Sequence, residues 1–253
     1  MSDETRIWTA GLLVIGDEIL SGRTQDLNVA QIGTWLNLQG IRLTEVRMVP
    51  DRIEAIVEAV NALRSTHDYL FTTGGIGPTH DDITVDSIAA AFGVPVIVHP
   101  DARRILESYY ATRGGVTDAR LRMARVPEGA ELIPNAFSGA PGVRMDNVYI
   151  LAGVPSIAAT MLQALKGRLE GGRPMVSLTV GAYVAESEVA DLLREAEAAH
   201  PGVSIGSYPF MRDGLHGANF VMRSDDGDLA ERTAQELQRR LSEAGFEPVP
   251  GGI

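Results

Sequence analysis

Residues 69–84 read YLFTTGGIGPTHDDIT, and this stretch decides the fold. Its first five residues, 69–73, are apolar or β-forming and predict a short buried strand, which the glycines and the proline of 74–78 end. Helical spacing of apolar residues resumes over 84–92. A strand that passes through a glycine-rich turn into a helix is typical of a parallel sheet with helices packed on it.

The same alternation of strand and helix extends on both sides of this stretch. Strands are predicted at 7–15, 41–49, 94–98 and 147–152, and helices at 26–39, from 53 onward and at 155–169. Residues 114–146 are less regular and contain three prolines. The pattern predicts an α/β fold with a mostly parallel sheet covered on both faces.

The pattern changes after GGRP at 171–174, which is the best linker candidate. From there the order of predicted elements is strand, helix, strand, strand, helix. This order favours a small α+β domain with an antiparallel component. We therefore expect two domains, at residues 5–170 and 175–248.

The composition of the 253 residues excludes several classes of protein. Hydrophobic residues make up 45% and charged residues 22%, as in an ordinary globular protein. No apolar run approaches the roughly 18 residues of a membrane span, and the polar N-terminus lacks a signal-peptide core, so we expect a cytoplasmic location. The net charge of −11, with no basic segment, argues against nucleic acid as a partner.

The glycines of 74–77 allow the backbone to approach a phosphate closely, and helix starts bind anions. Asp81, Asp82 and Thr84 add oxygen atoms beside this anion site. Carboxylates would repel a bare phosphate, so a divalent cation between them would resolve the conflict. The simpler alternative is a glycine-rich turn in which an aspartate caps the next helix.

A second candidate loop, GDEILSG at 16–22, also follows a buried strand and should lie at the same sheet edge. Glu18 and its neighbour Asp17 either bind a ligand or serve as turn residues. Asn28, one turn into the next helix, would orient a ligand or satisfy the loop. Asp51 is explained equally well as the N-cap of the helix that follows it.

Two turn-rich segments, 135–142 and 151–156, are further candidates, although structural turns explain either as well. Arg120, Arg122 and Arg125 suggest a phosphate clamp, but a solvated helix face explains most of this cluster. Arg122 is the strongest exception.

These motifs resemble a known family. GDEILSG, the D-x-N that follows it and TTGGIGPTHDDIT are similar to the MoaB/Mog-type molybdopterin-binding domain. DARLRMARVPEGAELIPNAFSGAPG and NVYILAGVPS resemble its competence/damage-inducible protein A (CinA) branch and the N-terminal domain of eukaryotic FAD synthases. The resemblance covers about residues 7–170, and residues 175–246 resemble the KH-like middle domain of CinA proteins. We expect a short form without the C-terminal amidase domain.

The resemblance implies a three-layer α/β/α fold with a ligand pocket at the GGIGPT loop. Some relatives bind molybdopterin and adenylylate it, whereas CinA and FAD-synthase relatives are associated with metal-dependent hydrolysis of ADP-ribose or FAD. Asp51 and Asp82 match the functional aspartates of the family. Arg122-Met123 and Ser156-Ile157 depart from the usual residues at the pocket edge, which leaves the choice of substrate open.

The sequence and the resemblance together predict a divalent-metal-dependent nucleotide pyrophosphatase that acts as a homodimer on ADP-ribose- or FAD-like substrates. Asp82 and Asp51 are the predicted catalytic residues, and Asp82, Asp81 and Glu18 would hold Mg²⁺, Mn²⁺ or Co²⁺. The predicted substrate-binding residues are Gly74, Gly75, Gly77, Pro78, Thr79, Thr84, Ser21, Asn28, Asn135, Gly139, Gly153 and Pro155.

Two alternatives stay open. One is molybdopterin binding or adenylylation in molybdenum cofactor biosynthesis. The other is a non-catalytic nucleotide-binding or interaction module.

Overall fold

The computed structural model describes residues 6–253, which form two compact units. The first unit ends at Gly172 and the second begins at Arg173. Within the described residues, none of the helices combines the length and the apolar character that crossing a bilayer requires.

The first unit alternates strands and helices along its length. Its strands are β1 (Trp8–Ile15), β2 (Ile41–Val49), β3 (Tyr69–Thr73), β4 (Val96–Val98), β5 (Arg125–Pro127), β6 (Glu131–Ile133), β7 (Gly142–Met145) and β8 (Val148–Leu151). Its helices are α1 (Asp17–Leu20), α2 (Asn28–Leu38), α3 (Ile53–Thr66), α4 (Thr84–Phe92), α5 (Pro100–Tyr110), α6 (Asp118–Leu121) and α7 (Pro155–Leu165), with a 3₁₀ turn at Arg122–Ala124.

Six of these strands form one mixed sheet in the order β2-β1-β3-β8-β7-β6. The first four run parallel, and β7 and β6 continue the sheet in antiparallel fashion. This arrangement confirms the predicted α/β class. The region 114–146, read as irregular in the sequence, supplies the hairpin β6–β7 and the strand β5, which pairs with β4.

Side chains that alternate along the strands divide the core of the first unit between two faces of the sheet. Leu12 and Phe71 pack with α2 and α7, on what we call the α2/α7 face. Leu13 and Leu70, one position away in each strand, pack with α3 and α4 on the α3/α4 face. All four side chains are fully buried. Both faces are therefore covered, as the apolar runs of these strands predict.

The second unit has an antiparallel sheet in the order β10-β11-β9-β12. Its elements are β9 (Val176–Ala182), α8 (Glu186–Ala199), β10 (Ser204–Arg212), β11 (Leu215–Ser224), α9 (Gly227–Glu243) and β12 (Val249–Pro250). Its core joins Val180, Phe220 and Leu237. The predicted βαββα order is confirmed, and the KH-like label stays a prediction.

Two leucines of α2 test which face of this helix stabilises the first unit. Leu36 is fully buried whereas Leu38 is 65% exposed. We expect Leu36→Ala to lower the free energy of unfolding by about 2–5 kcal/mol, and Leu38→Ala to change it by less than about 0.5 kcal/mol. Urea denaturation followed by tryptophan fluorescence measures this unit, because Trp8 and Trp35 both lie in it. Equal effects of the two variants would contradict the packing described.

Candidate functional site

Three loops meet at the carboxyl-end edge of the parallel strands. β1, β3 and β8 are neighbours that run in the same direction, so residues 16–27, 74–83 and 152–154 all begin at this edge. Gly74 has a φ of +100°, and a Cβ there would lie only 2.1 Å from the carbonyl oxygen of Ile15. A Cβ on Gly153 would lie 3.2 Å from the Cα of Gly74. The glycine at 74 is therefore what allows the loops to touch.

Two side chains shape the glycine loop, by which we mean residues 74–79. Thr84, buried at the start of α4, donates its hydroxyl to the Gly74 carbonyl at 2.8 Å and its N–H to the Gly75 carbonyl at 3.0 Å. Asp82 Oδ1 accepts the N–H of Gly77 at 2.6 Å. Its Oδ2 accepts both the N–H and the hydroxyl of Thr79, at 2.7 and 2.5 Å. The loop is thus organised before any ligand arrives.

These bonds qualify the roles predicted for the acidic residues of the motif. Asp82 lines the cleft, but each of its carboxylate oxygens already accepts hydrogen bonds from the loop. A metal ion or a substrate would share this carboxylate with the loop. The side chain of Asp81 is 67% exposed and lies 3.9 Å from the exposed ring of His80.

The second predicted loop brings carboxylates together around Asp51. Asp51 Oδ2 accepts the N–H of Asp17 at 2.9 Å, whereas α3 begins after Arg52 without a side-chain cap. The alternative that Asp51 is the N-cap of α3 is therefore wrong, because its side chain turns toward a loop 34 residues away. Burial raises the pKa of the Asp51 carboxyl, and the negative charges of Asp17, Glu18 and Asp81 raise it further.

A large cleft lies over the meeting point of the loops. Its empty volume is about 1280 Å³, including the part that opens to solvent. Carboxylates, glycines and apolar side chains share its lining. Of the residues predicted for the site, those that line this cleft are Glu18, Gly74, Gly75, Gly77, Pro78, Asp82, Gly153 and Pro155.

Other predicted residues lie away from the cleft. Ser21 is exposed, and its hydroxyl bonds the Glu18 carbonyl at 3.3 Å. Asn135 uses its amide within its own loop, donating to Ser138 Oγ and the Ala140 carbonyl and accepting from the N–H of Phe137. Gly139, with a φ of +77°, packs against a tyrosine ring and lines a separate shallow depression with Asn135. Asn135 thus shapes the loop that carries Ser138, which does line the cleft.

A smaller recess opens beside the cleft and shares Glu18, Thr24, Gly74, Gly153 and Pro155 with it. Asn28 and Thr73 also line this recess. Asn28 donates its Nδ2 to the Gly153 carbonyl at 2.7 Å, which ties the start of α2 to the loop after β8. Thr73 is the last residue of β3, and the sequence reading did not select it, because a threonine in a strand signals β-propensity and nothing more.

The three clustered arginines separate in the structure. Arg125 pairs with Asp86, and Arg120 donates to backbone carbonyls and lies 4.1 Å from the centroid of the Tyr110 ring. Arg122 lines a crevice on the glycine loop together with Asp82, and its Nε is buried without a partner among the described residues. Arg125 lines the same crevice, so what distinguishes Arg122 is its buried Nε without a partner among the described residues.

The described side chains do not by themselves fit a resident metal centre. Between Arg6 and Ile253, no three histidine, aspartate or glutamate side chains are placed to hold an ion. Mg²⁺ is often held by one or two carboxylates together with substrate phosphates. The divalent ion predicted from the sequence would therefore depend on phosphates that a ligand supplies.

Comparison with known proteins gives two family matches, one in each unit. Residues 11–171 match the family described as "Probable molybdopterin binding domain". Residues 174–249 match the family described as "FAD synthase, middle domain". The first match contains the glycine loop, the cleft and residues 16–22, which we call the acidic loop.

Two individual relatives extend across both units, and a solved structure matches a shorter part of the chain. A protein of Aeropyrum pernix is 36% identical over 219 residues, covering 83% of this chain and 81% of the relative. A CinA-like protein of Citrifermentans bemidjiense is 32% identical over 243 residues, covering 91% of this chain and 58% of the relative. The crystal structure of the protein CinA with unknown function from Thermoplasma acidophilum has a TM-score of 0.60 at 31% identity, covering 64% of this chain and 98% of that one.

A pair of glycines tests the close contact of the loops. Gly74 and Gly22 both have positive φ, but a Cβ on Gly22 would have nothing within 4 Å. Gly22→Ala should therefore lower the free energy of unfolding only by the cost of placing an alanine at positive φ, about 1–2 kcal/mol. Gly74→Ala adds the clash with Ile15 and should lower the free energy of unfolding by clearly more, above about 2 kcal/mol. Equal losses in urea denaturation would contradict the steric argument.

The raised pKa of Asp51 predicts a pH dependence of stability. The folded chain binds this proton more tightly than the unfolded chain, so wild-type stability falls as pH rises from about 3.8 through the raised pKa. Asp51→Asn keeps an acceptor for the Asp17 N–H and removes the charge. We expect the variant to be at least as stable as wild type at pH 7, because it carries no charge for burial and the neighbouring carboxylates to disfavour.

Urea denaturation at pH 4 to 7 measures this difference, which should shrink toward pH 4. Glu54→Gln, an exposed carboxylate at the start of α3, is the matched control and should leave the pH profile unchanged. A variant at Asp51 that is less stable than wild type at pH 7 would show that the charge itself stabilises the loop.

Proposed function

The chain belongs to the molybdopterin-binding-domain family in its CinA-type arrangement, and on this premise we propose that its first unit is a nucleotide pyrophosphatase. The substrate class is a nucleotide diphosphate such as ADP-ribose or FAD. One observation carries the proposal: a single cleft joins a preorganised glycine loop, a helix N-terminus, a carboxylate and an apolar wall. The match of the second unit to the middle domain of FAD synthase gives further support to a flavin- or adenine-nucleotide ligand.

The diphosphate would lie between the glycine loop and the start of α7. Val154, Pro155 and Ile157, at the first turn of α7, line the cleft. The N-terminus of a helix carries a partial positive charge that favours an anion. At α7, Pro155 has no N–H and the Ile157 N–H bonds the Val154 carbonyl, so Ser156 supplies the N–H at this helix start. Since the chain is acidic overall, these backbone groups are its main local source of positive potential there, with Arg122 beside the loop.

The apolar wall suits the ring system of a nucleotide. Tyr110, Met123, Ile157 and Met161 line the cleft together with its polar loops. The part of the cleft that water-sized molecules can occupy is about 610 Å³. This lies within the roughly 300–1,000 Å³ of small-molecule pockets, which leaves room for a nucleotide-sized ligand. Flat heterocycles bind well to such aromatic and thioether surfaces.

Glu18 is the carboxylate we assign to the chemical step, because it lines both the cleft and the recess. It would orient a water molecule toward one phosphorus and accept its proton as the new P–O bond forms. The bridging P–O bond then breaks, and ADP-ribose and water give AMP and ribose 5-phosphate. Backbone N–H groups of the glycine loop would stabilise the charge that develops on the phosphate oxygens.

The two predicted catalytic aspartates take positioning roles in this proposal. Asp51 holds the acidic loop through the N–H of Asp17, and Asp82 holds the glycine loop through Gly77 and Thr79. A divalent ion, if it enters with the substrate, would neutralise phosphate charge near Glu18 and Asp82.

The first test is release of AMP from ADP-ribose and from FAD, with Mg²⁺, Mn²⁺ or Co²⁺ and with chelator. We expect AMP from at least one substrate. Glu18→Gln should lower kcat by about 100-fold or more, since a positioned general base contributes about 10²–10⁴ to a rate. Glu58→Gln, an exposed carboxylate on α3, is the control and should retain wild-type turnover.

Two outcomes would contradict this proposal. Absence of AMP with every metal would exclude pyrophosphatase activity on these substrates. Full turnover by the Glu18→Gln variant would leave the activity standing and remove Glu18 from the chemical step.

A second candidate function, molybdopterin binding, is favoured by the description of the family that residues 11–171 match. The same loop and helix would then hold a pterin phosphate. Tight binding of molybdopterin by a protein that leaves ADP-ribose and FAD intact would support this candidate.

A further inference from the structure

Two buried residues that line the recess each have a polar side-chain atom without a partner among the described residues. Asn28 is 4% exposed and Thr73 is 1% exposed. Asn28 Oδ1 and Thr73 Oγ1 are buried, and neither makes a hydrogen bond with any described residue. An unpaired buried polar group costs about 1–3 kcal/mol, so two of them lining one recess point to a ligand.

Local structure fixes both side chains. Asn28 Nδ2 donates to the Gly153 carbonyl, and this bond settles which end of the amide is left without a partner. Thr73 follows Phe71 by two positions in β3 and therefore lies on the α2/α7 face, the face on which Asn28 begins α2. Asn28 thus lies at a helix start and Thr73 at a strand end, and both residues line the recess.

The chemistry of the recess selects hydrogen-bond donors. Asn28 Oδ1 and the Asp26 carboxylate, which also lines the recess, can only accept, whereas the Thr73 hydroxyl can accept or donate. No lysine, arginine or histidine is among the described residues that line the recess. An anion is therefore disfavoured here, and a group with adjacent hydroxyls is favoured. Acidic side chains bind ribose hydroxyls in this way in dinucleotide sites.

We propose that the recess binds the vicinal hydroxyls of a ribose while the diphosphate of the same ligand lies on the glycine loop. The recess and the cleft share Glu18, Gly74 and Gly153, so one molecule can occupy both. This assignment rests on the proposed function and deepens it. If it is correct, the protein distinguishes its ligands by their sugar and binds ribose-containing diphosphates in preference to a pterin phosphate.

Neighbouring threonines provide a matched test. Thr72 and Thr73 are both buried, and both hydroxyls lack a partner among the described residues, but only Thr73 lines the recess. Valine has nearly the same shape without the hydroxyl. Neither Thr72→Val nor Thr73→Val should lower the melting temperature, because each removes an unpaired buried hydroxyl.

Binding of ADP-ribose by calorimetry should separate the two variants. Thr73→Val should raise Kd by about 5- to 10-fold, the effect of one hydrogen bond, and Thr72→Val should leave Kd unchanged. Thr73→Ser keeps the hydroxyl and should bind nearly as wild type does. This third variant separates loss of the hydroxyl from disturbance of the strand end.

Ligand analogues provide the second arm. ADP-ribose analogues that lack the 2′-hydroxyl on one ribose or on the other should differ, with one binding more weakly to wild type. Thr73→Val should weaken binding of that analogue no further, since the hydroxyl pair it would contact is already broken. Such non-additivity identifies a direct contact.

The outcomes distinguish the two proposals. The ribose assignment is wrong, and the recess holds only water, if Thr73→Val binds ADP-ribose as Thr72→Val does or if both analogues bind as ADP-ribose does. Release of AMP by wild type would still support the pyrophosphatase in that case. An equal loss of affinity in Thr73→Ser and Thr73→Val would also overturn it. If wild type neither binds nor cleaves ADP-ribose or FAD, the proposed function fails first.

Discussion

The contact of Gly74 with the carbonyl of Ile15 is the constraint on which the site depends. A Cβ at this position would lie 2.1 Å from that oxygen, so no other residue allows the loops after β1 and β3 to lie this close. Gly153 completes the contact from the loop after β8. Because the three loops are in contact, Glu18, the glycine loop and the start of α7 share one cleft. Separating the loops would divide that cleft and widen the recess beside it.

The acidic residues near this contact divide by what they do. Asp82 accepts three hydrogen bonds from the glycine loop, and Asp51 accepts one from the acidic loop, so both act first on the backbone. Asp82 also lines the cleft, whereas Glu18 lines it without accepting any of these four hydrogen bonds. The two aspartates that the resemblance presents as functional residues thus hold the shapes of the two loops through these hydrogen bonds. A change at either aspartate would alter ligand binding even if neither touched the ligand, and turnover alone would not separate these roles.

Most of the fold could be predicted because its signals are local. Apolar runs marked the strands of the first unit, and the glycines marked the turns at the sheet edge. The hairpin β6–β7 has strands of three and four residues, too short to show a period. The role of Asp51 depends on a loop 34 residues away, and no local pattern encodes that contact. Asn135 looks like a ligand-binding residue in sequence, yet its own loop uses its amide.

Thr72 and Thr73 show that an unpaired buried hydroxyl indicates a ligand site only when its surroundings also do so. Both hydroxyls are buried without partners in the described chain, and each costs stability in a protein whose total is about 5–15 kcal/mol. For Thr72, on the α3/α4 face, β-propensity is a sufficient reason for threonine. Thr73 shares its recess with a second unpaired acceptor, Asn28 Oδ1, and with a carboxylate. Two unpaired polar atoms on residues that line the same recess are better explained by a ligand that pairs with both than by strand propensity. Strand propensity accounts for neither the asparagine nor the recess.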